Sequence, residues 1–221
     1  MAFKGPAKRL RSFAAALLFT ATATLGAQAE PMRMVGFGDS LMAGYGLNAG
    51  ESFTDKLQAA LRAKGHEVEI VNAGVSGDTS SGGLARLDWS IPEGTDFVIL
   101  EFGGNDMLRG ISPDIVEKNI DAMLARLKER NIKVLLAGMR AAPNMGPNYV
   151  SRFEAIYPRL AKKYGVQLYP FFLSGLVIDG QRAASEYFLP DNIHPSAKGV
   201  DRMVEDALPA VENLLGKPGA S

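Results

Sequence analysis

Met32-Arg33-Met34-Val35-Gly36-Phe37-Gly38-Asp39-Ser40-Leu41 is the stretch from which the architecture is read. The apolar run Met34–Phe37 predicts a strand. Gly-Asp-Ser-Leu stops it, and helix-compatible Met42-Ala43 follows. A serine just past the carboxyl end of a strand is where an open α/β sheet exposes a reactive side chain. Taken alone the tetrapeptide says little, because Asp and Ser after Gly are also ordinary helix caps. The rest of the chain repeats the pattern. Apolar, β-branched runs at Val68–Val71, Phe97–Phe102, Val134–Ala137 and Val166–Tyr169 predict four more strands.

Segments with helical spacing lie between these runs. In Asp114–Arg130, Val116, Ile120, Met123, Leu124 and Leu127 fall on one face, with Ser112 as N-cap and Pro113 at the first helical position. Phe53–Lys64, Gly83–Trp89, Tyr149–Tyr164 and Ser196–Leu215 also read as helices, the last with a kink or a break at Pro209. Strand–helix alternation predicts a three-layer α/β/α fold around a five-stranded parallel, flavodoxin-like sheet. No repeat, linker or low-complexity tract divides it, so one domain is expected.

The first residues stand apart. Lys4, Lys8, Arg9 and Arg11 precede an apolar stretch from Phe13 to Gly26, and Ala27-Gln28-Ala29 supplies a small-x-small pattern. This predicts a secretory signal peptide over 1–29, cleaved after Ala29, since the apolar stretch is shorter than the ~20 residues of a membrane span. The mature domain is then 30–221, in the bacterial periplasm or outside the cell, with no stable membrane anchor. The full chain has 24 basic and 24 acidic residues; without the signal's four basic residues it carries 20 against 24, a net charge of −4. No basic run remains to attract nucleic acid. There is no cysteine, which excludes disulfides, a thiol nucleophile and a lipid-bearing cysteine. With two histidines and no calcium-loop spacing, no metal and no cofactor are predicted.

One of those histidines lies in Asp191-Asn192-Ile193-His194-Pro195, three residues after an aspartate and just before a predicted helix. Serine, histidine and aspartate are the parts of an activated nucleophile. Two loops between them also follow predicted strands: Asn72–Thr79, containing Ser76-Gly77-Asp78-Thr79, and Gly103-Gly104-Asn105-Asp106. In a sheet of order 2-1-3-4-5 all these loops open on one side, and those of Ser40 and Asn105 face each other across the switch point.

With these four blocks in order, the chain resembles the GDSL, or SGNH, hydrolase family, named for Ser, Gly, Asn and His. Here they are Ser40, Gly77, Asn105 and His194. Gly77-Asp78-Thr79-Ser80, Gly83-Leu84-Ala85-Arg86-Leu87, Gly103–Gly110 and Ile156-Tyr157-Pro158 are similar to its secreted acyl-CoA thioesterase, lysophospholipase and arylesterase branch. The resemblance implies a serine esterase with Ser40, Asp191 and His194 as catalytic residues. It also implies an oxyanion hole of the Ser40 N–H, the Gly77 N–H and the Asn105 amide. Asp39 is expected to brace the nucleophile loop without exchanging protons. The loops after the third and fourth strands would border the acyl group with Met107, Leu108, Ile111, Met145 and Tyr149.

Where that branch carries larger apolar residues this chain has Ala141-Ala142, which directs the expectation to short or medium acyl and aryl esters, with thioesters and lysophospholipids as further options. A small-molecule acyl ester or thioester as the partner, and a monomer, are expected. Two alternatives are carbohydrate deacetylation by the same chemistry and a non-catalytic flavodoxin-like phosphate- or ligand-binding protein. The motifs Gly-x-Ser-x-Gly and Gly-x-Gly-x-x-Gly are both incomplete around Ser40. His66 reads as a solvated surface residue, Trp89 as packing, and Arg109 as a substrate contact or a surface pair.

Overall fold

The computed structural model describes residues 1–3 and 30–216. The signal-like segment falls in 4–29, outside the described residues. Strands β1 (Met32–Gly38), β2 (Val68–Gly74), β3 (Phe97–Glu101), β4 (Lys133–Ala137) and β5 (Gln167–Tyr169) pair in the order β2-β1-β3-β4-β5. Every pairing is parallel, which is the flavodoxin-like sheet expected from the alternation. β3 is buried along its whole length, as a central parallel strand covered on both faces must be. The edge strand β2 leaves Val71 exposed.

Helices α2 (Phe53–Ala63) and α8 (Ala197–Leu215) pack together on one side, and α3 (Ser80–Ser90), α5 (Pro113–Glu129) and α7 (Ile156–Tyr164) pack together on the other. In α5 the five apolar residues singled out by spacing are all buried, and Ser112 accepts a hydrogen bond from Asp114 N. Two short helices, α1 (Ser40–Ala43) and α4 (Gly104–Leu108), begin directly beyond β1 and β3. Among the described residues no helix is long and apolar enough to cross a membrane.

Four expectations need correction. Tyr149–Tyr164 is two helices, α6 (Pro147–Glu154) and α7, because Pro158 has no N–H to give the Glu154 carbonyl and the ladder parts there. Pro209, by contrast, does not split α8; Pro209 and Glu205 are both exposed, so water can serve the carbonyl that the proline leaves unpaired. His66 is buried, with Nε2 3.7 Å from Glu212 Oε1, because the far half of α8 covers the turn between α2 and β2. Trp89 is 75% exposed; Gly83 and Leu87 fill the inner face of α3, and the indole lies outside it. A short hairpin, β6 (Val177–Ile178) and β7 (Gln181–Arg182), lies between β5 and the Asp191–His194 loop. Its turn residues Asp179 and Gly180 both have positive φ, the requirement that Asp-Gly turns meet.

Buried polar side chains tie the strand ends together. Arg86 on α3 is only 8% exposed at its side chain, and its guanidinium donates to Gly38 O at 2.9 Å and Ala73 O at 2.8 Å. Its Nε meets Asp78 Oδ2 at 2.6 Å, and the plane lies 4.3 Å from the Phe37 ring centre. It therefore joins the last turns of β1 and β2, from which the Ser40 and Gly77 loops depart. Removing the cation would strand Asp78 and two carbonyls, so Arg86→Ala is expected to destabilise the fold by about 3 kcal/mol in urea denaturation. A loss below about 1 kcal/mol would mean that water replaces the guanidinium at no great cost.

Candidate active site

Asp39 caps α1: its Oδ1 accepts from Leu41 N at 3.0 Å, which seats Ser40 on the first turn. The approach beneath is tight. A Cβ on Gly38 would lie 2.4 Å from Glu101 Oε2, so only glycine lets β1 end against β3 there. Ser40 Oγ is 2.9 Å from His194 Nε2, and His194 Nδ1 is 2.6 Å from Asp191 Oδ2. The other Asp191 oxygen accepts from Ile193 N at 2.8 Å and His194 N at 3.0 Å, so the aspartate folds the loop that carries its own partner. Asn192 takes a positive φ to complete the turn.

The His194 ring and those two backbone N–H groups hold the Asp191 carboxyl down to about 2. Ionised at every physiological pH, it takes the Nδ1 proton as a hydrogen bond and leaves Nε2 free to accept from the Ser40 hydroxyl. Outside the loop, Leu189 N donates to His194 O at 2.8 Å, Arg182 donates to Asn192 O, and Phe188 bridges Pro195. Tyr45, half-exposed, sets its ring 4.4 Å from that of His194.

Asn105, on the first turn of α4, donates from Nδ2 to Asp39 Oδ2 at 2.9 Å across the β1/β3 switch point. Its neighbour Asp106 is buried and accepts from Ser80 N at 2.8 Å and Ser80 Oγ at 2.6 Å, while Asn119 donates to Ser80 and Ser81. The Gly77 and Asn105 loops are thereby joined. Gly77 has φ +83°, where a side chain would be strained. Burial is the main force raising the carboxyls of Asp39 and Glu101, Glu101 well above its ordinary 4.5; the charge of Asp39 raises Glu101 further, and that of Asp106 raises Asp39 against the hydrogen bonds from Leu41 and Asn105.

Of the residues expected at the acyl group, Ile111 and Tyr149 come together, the phenol donating to Ile111 O at 2.8 Å. Met107 is half-buried against the core, Met145 sits on the short turn Pro143–Met145, and Leu108 is exposed. Arg109 Nη2 donates to Gly77 O at 2.7 Å, a backbone contact the sequence did not point to. Among the described residues no group of three or more His, Cys, Asp or Glu side chains could hold a metal ion.

A profile of the GDSL-like lipase/acylhydrolase family matches residues 37–202, from the end of β1 into α8. The chain belongs to that family. It is an ester-bond hydrolase of the GDSL type. Over 190 residues it is 36% identical to esterase TesA of Pseudomonas aeruginosa, covering 85% of this chain and 92% of that one. Over 201 residues it is 35% identical to thioesterase 1/protease 1/lysophospholipase L1 of Escherichia coli, covering 90% and 88%. The crystal structure of AlinE4, an SGNH-hydrolase family esterase, superposes with a TM-score of 0.70 at 43% identity, covering 86% of this chain and 99% of that one.

Glu101, Arg86 and Tyr45 were not singled out from the sequence. Glu101 had a signal, a carboxylate closing the apolar run Phe97-Val98-Ile99-Leu100. Arg86 lay within the family-like stretch Gly83–Leu87, but nothing there gave it a role, since one arginine on a helix usually faces water. Because the folded protein holds the Glu101 proton to higher pH than the unfolded chain, this residue's linkage lowers stability as pH rises above its unfolded value. The neutral isostere Glu101→Gln removes that term. Relative to the parent, the variant is expected to gain stability as pH rises above the ordinary carboxyl value of 4.5 in chemical denaturation. A pH-independent difference would show that Glu101 is ionised in the fold.

Proposed function

We propose that this GDSL hydrolase acts through an acyl-enzyme formed on Ser40. One observation carries the reading: the continuous chain Ser40 Oγ–His194 Nε2–Asp191 at 2.9 and 2.6 Å, assembled from two ends of the sequence. His194 takes the hydroxyl proton as Ser40 attacks the carbonyl carbon, and Asp191 stabilises the imidazolium without accepting its proton. The tetrahedral oxyanion is received by the Ser40 N–H, the Gly77 N–H and the Asn105 side chain. One amide hydrogen of Asn105 is occupied by Asp39, which leaves the other to point at the oxyanion. His194 then protonates the leaving alcohol, and an activated water releases the acid by the reverse steps.

The substrates we favour are small acyl and aryl esters of short to medium chain. Met107, Leu108, Ile111, Met145 and Tyr149 border the acyl group in this reading, and Ala141-Ala142 narrow the argument for long chains. Thioesters and lysophospholipids are the next substrates to try, given the name of the Escherichia coli relative. Two features weigh against sugar deacetylation and a passive binding role. Trp89 lies nine residues into α3, about 13 Å along the helix from the loop side, too far to serve as a platform beside Ser40. A binding protein has no use for a histidine held between a serine and an aspartate. The basic start, apolar stretch and Ala27-Gln28-Ala29 support export, cleavage after Ala29 and work in the periplasm or outside the cell.

The test uses protein lacking residues 1–29 on p-nitrophenyl esters of increasing chain length. Ser40→Ala is expected to cost at least ~10⁴-fold in kcat with the fold intact. Asn105→Ala should cost about 10²–10³-fold in kcat with little change in KM. Rates should peak at short to medium chains; a steady rise through long acyl groups would overturn the chain-length reading. Equal turnover by parent and Ser40→Ala would overturn the mechanism.

A further inference from the structure

Gly77 is an oxyanion donor with little to hold it. Its φ of +83° lies in a region where glycine moves freely, and a Cβ built there would meet nothing nearer than Arg109 Nη2 at 3.8 Å. Among the described residues, Arg109 apart, no side chain beyond its chain neighbours comes within 4 Å of that position. The neighbouring ties are Val75 N to Gly38 O at 3.0 Å, Asp78 N to Val75 O at 3.1 Å, and the Asp78 carboxylate to Arg86. These fix the residues on either side and leave the rotation of Gly77 itself unset. Among the described residues, the hydrogen bond to the Gly77 carbonyl comes from Arg109 Nη2, at 2.7 Å.

Arg109 is suited to that bond. It caps the carboxyl end of α4, and its own N–H donates to the Asn105 carbonyl at 3.1 Å. Among the described residues no carboxylate lies within ion-pair distance of it, so its charge is not drawn elsewhere. The one short helix that presents the Asn105 amide therefore also reaches back, through Arg109, to the second donor. We propose that Arg109 is a positioning residue: by holding the Gly77 carbonyl it fixes the peptide that follows Gly77, and so restrains the residue whose own N–H, on the preceding peptide, meets the oxyanion together with the Asn105 amide. The inference rests on the reading of Gly77 and Asn105 as oxyanion donors. A charge-assisted bond to the carbonyl limits ψ of Gly77 and holds the peptide on its far side; with Val75 tied to Gly38 on the near side, the Gly77 N–H between them has less room to swing, and a cation beside the hole favours the negative charge that develops there.

The experiment measures kcat and KM of Arg109→Ala, Arg109→Lys and Asn105→Ala on p-nitrophenyl acetate and p-nitrophenyl octanoate, with melting temperatures recorded alongside. Arg109→Ala is expected to lower kcat roughly tenfold on both esters, with KM within about twofold, since only the transition state uses the donor fully. Arg109→Lys keeps a cationic donor and should recover most of that loss. An effect on KM alone, or one that changes with acyl length, would make Arg109 a substrate contact and overturn the proposal. Lysine faring no better than alanine at matched melting temperature, or unchanged kcat in Arg109→Ala, would overturn it as well. Unchanged kcat in Asn105→Ala would instead bring down the oxyanion reading on which it rests.

Discussion

The hydrogen bond from Asn105 to Asp39 is the point on which the site turns. β1 and β3 are neighbours in the sheet, but their helices leave in opposite directions, and a crevice opens where they part. Asp39 spans it. One carboxylate oxygen holds the first turn of α1, with Ser40 on it, and the other holds the side chain of α4. Nucleophile and amide are thus set by a single planar group, and a shift of either helix is felt by both. Arg86 does the same for β1 and β2, and Asp106 with Ser80 for α3 and α4. Each loop at the open edge is fastened to the next by a charged group turned inward.

The acids at this edge divide by environment. Asp191 sits near water among donors and is ionised, which suits a group that must steady a cation. Asp39 and Glu101 lie beneath the nucleophile, where burial disfavours charge, and serve as scaffolding. Three carboxyls near one serine would give a confused proton inventory in water. In the proposed mechanism, separation by solvation leaves His194 as the group that exchanges protons with Ser40.

Much of this was legible in the chain. Five apolar runs with helical segments between them pointed to the parallel sheet, and the blocks of Ser40, Asp191 and His194 contain side chains that the fold brings together. What escaped was whatever depended on a distant element. Lys64-Gly65-His66-Glu67 reads as an exposed turn until α8 is laid over it, and Trp89 reads as packing until glycine and leucine are seen to fill the inner face of α3. Arg109 could not be assigned because its acceptor is a carbonyl 32 residues earlier, and a backbone acceptor leaves no mark on composition. Pro158 and Pro209 have the same local chemistry with opposite outcomes, decided by how the surrounding helix is packed and hydrated.

Ser40 and His194 are 154 positions apart, and the loop bearing the histidine is anchored to the start of α8. A chain emerging amino end first has its serine long before it has a base to activate it. Any intermediate with α8 undocked is chemically silent, however complete its sheet. On the proposed mechanism, turnover therefore reports that the last helix has been made and seated.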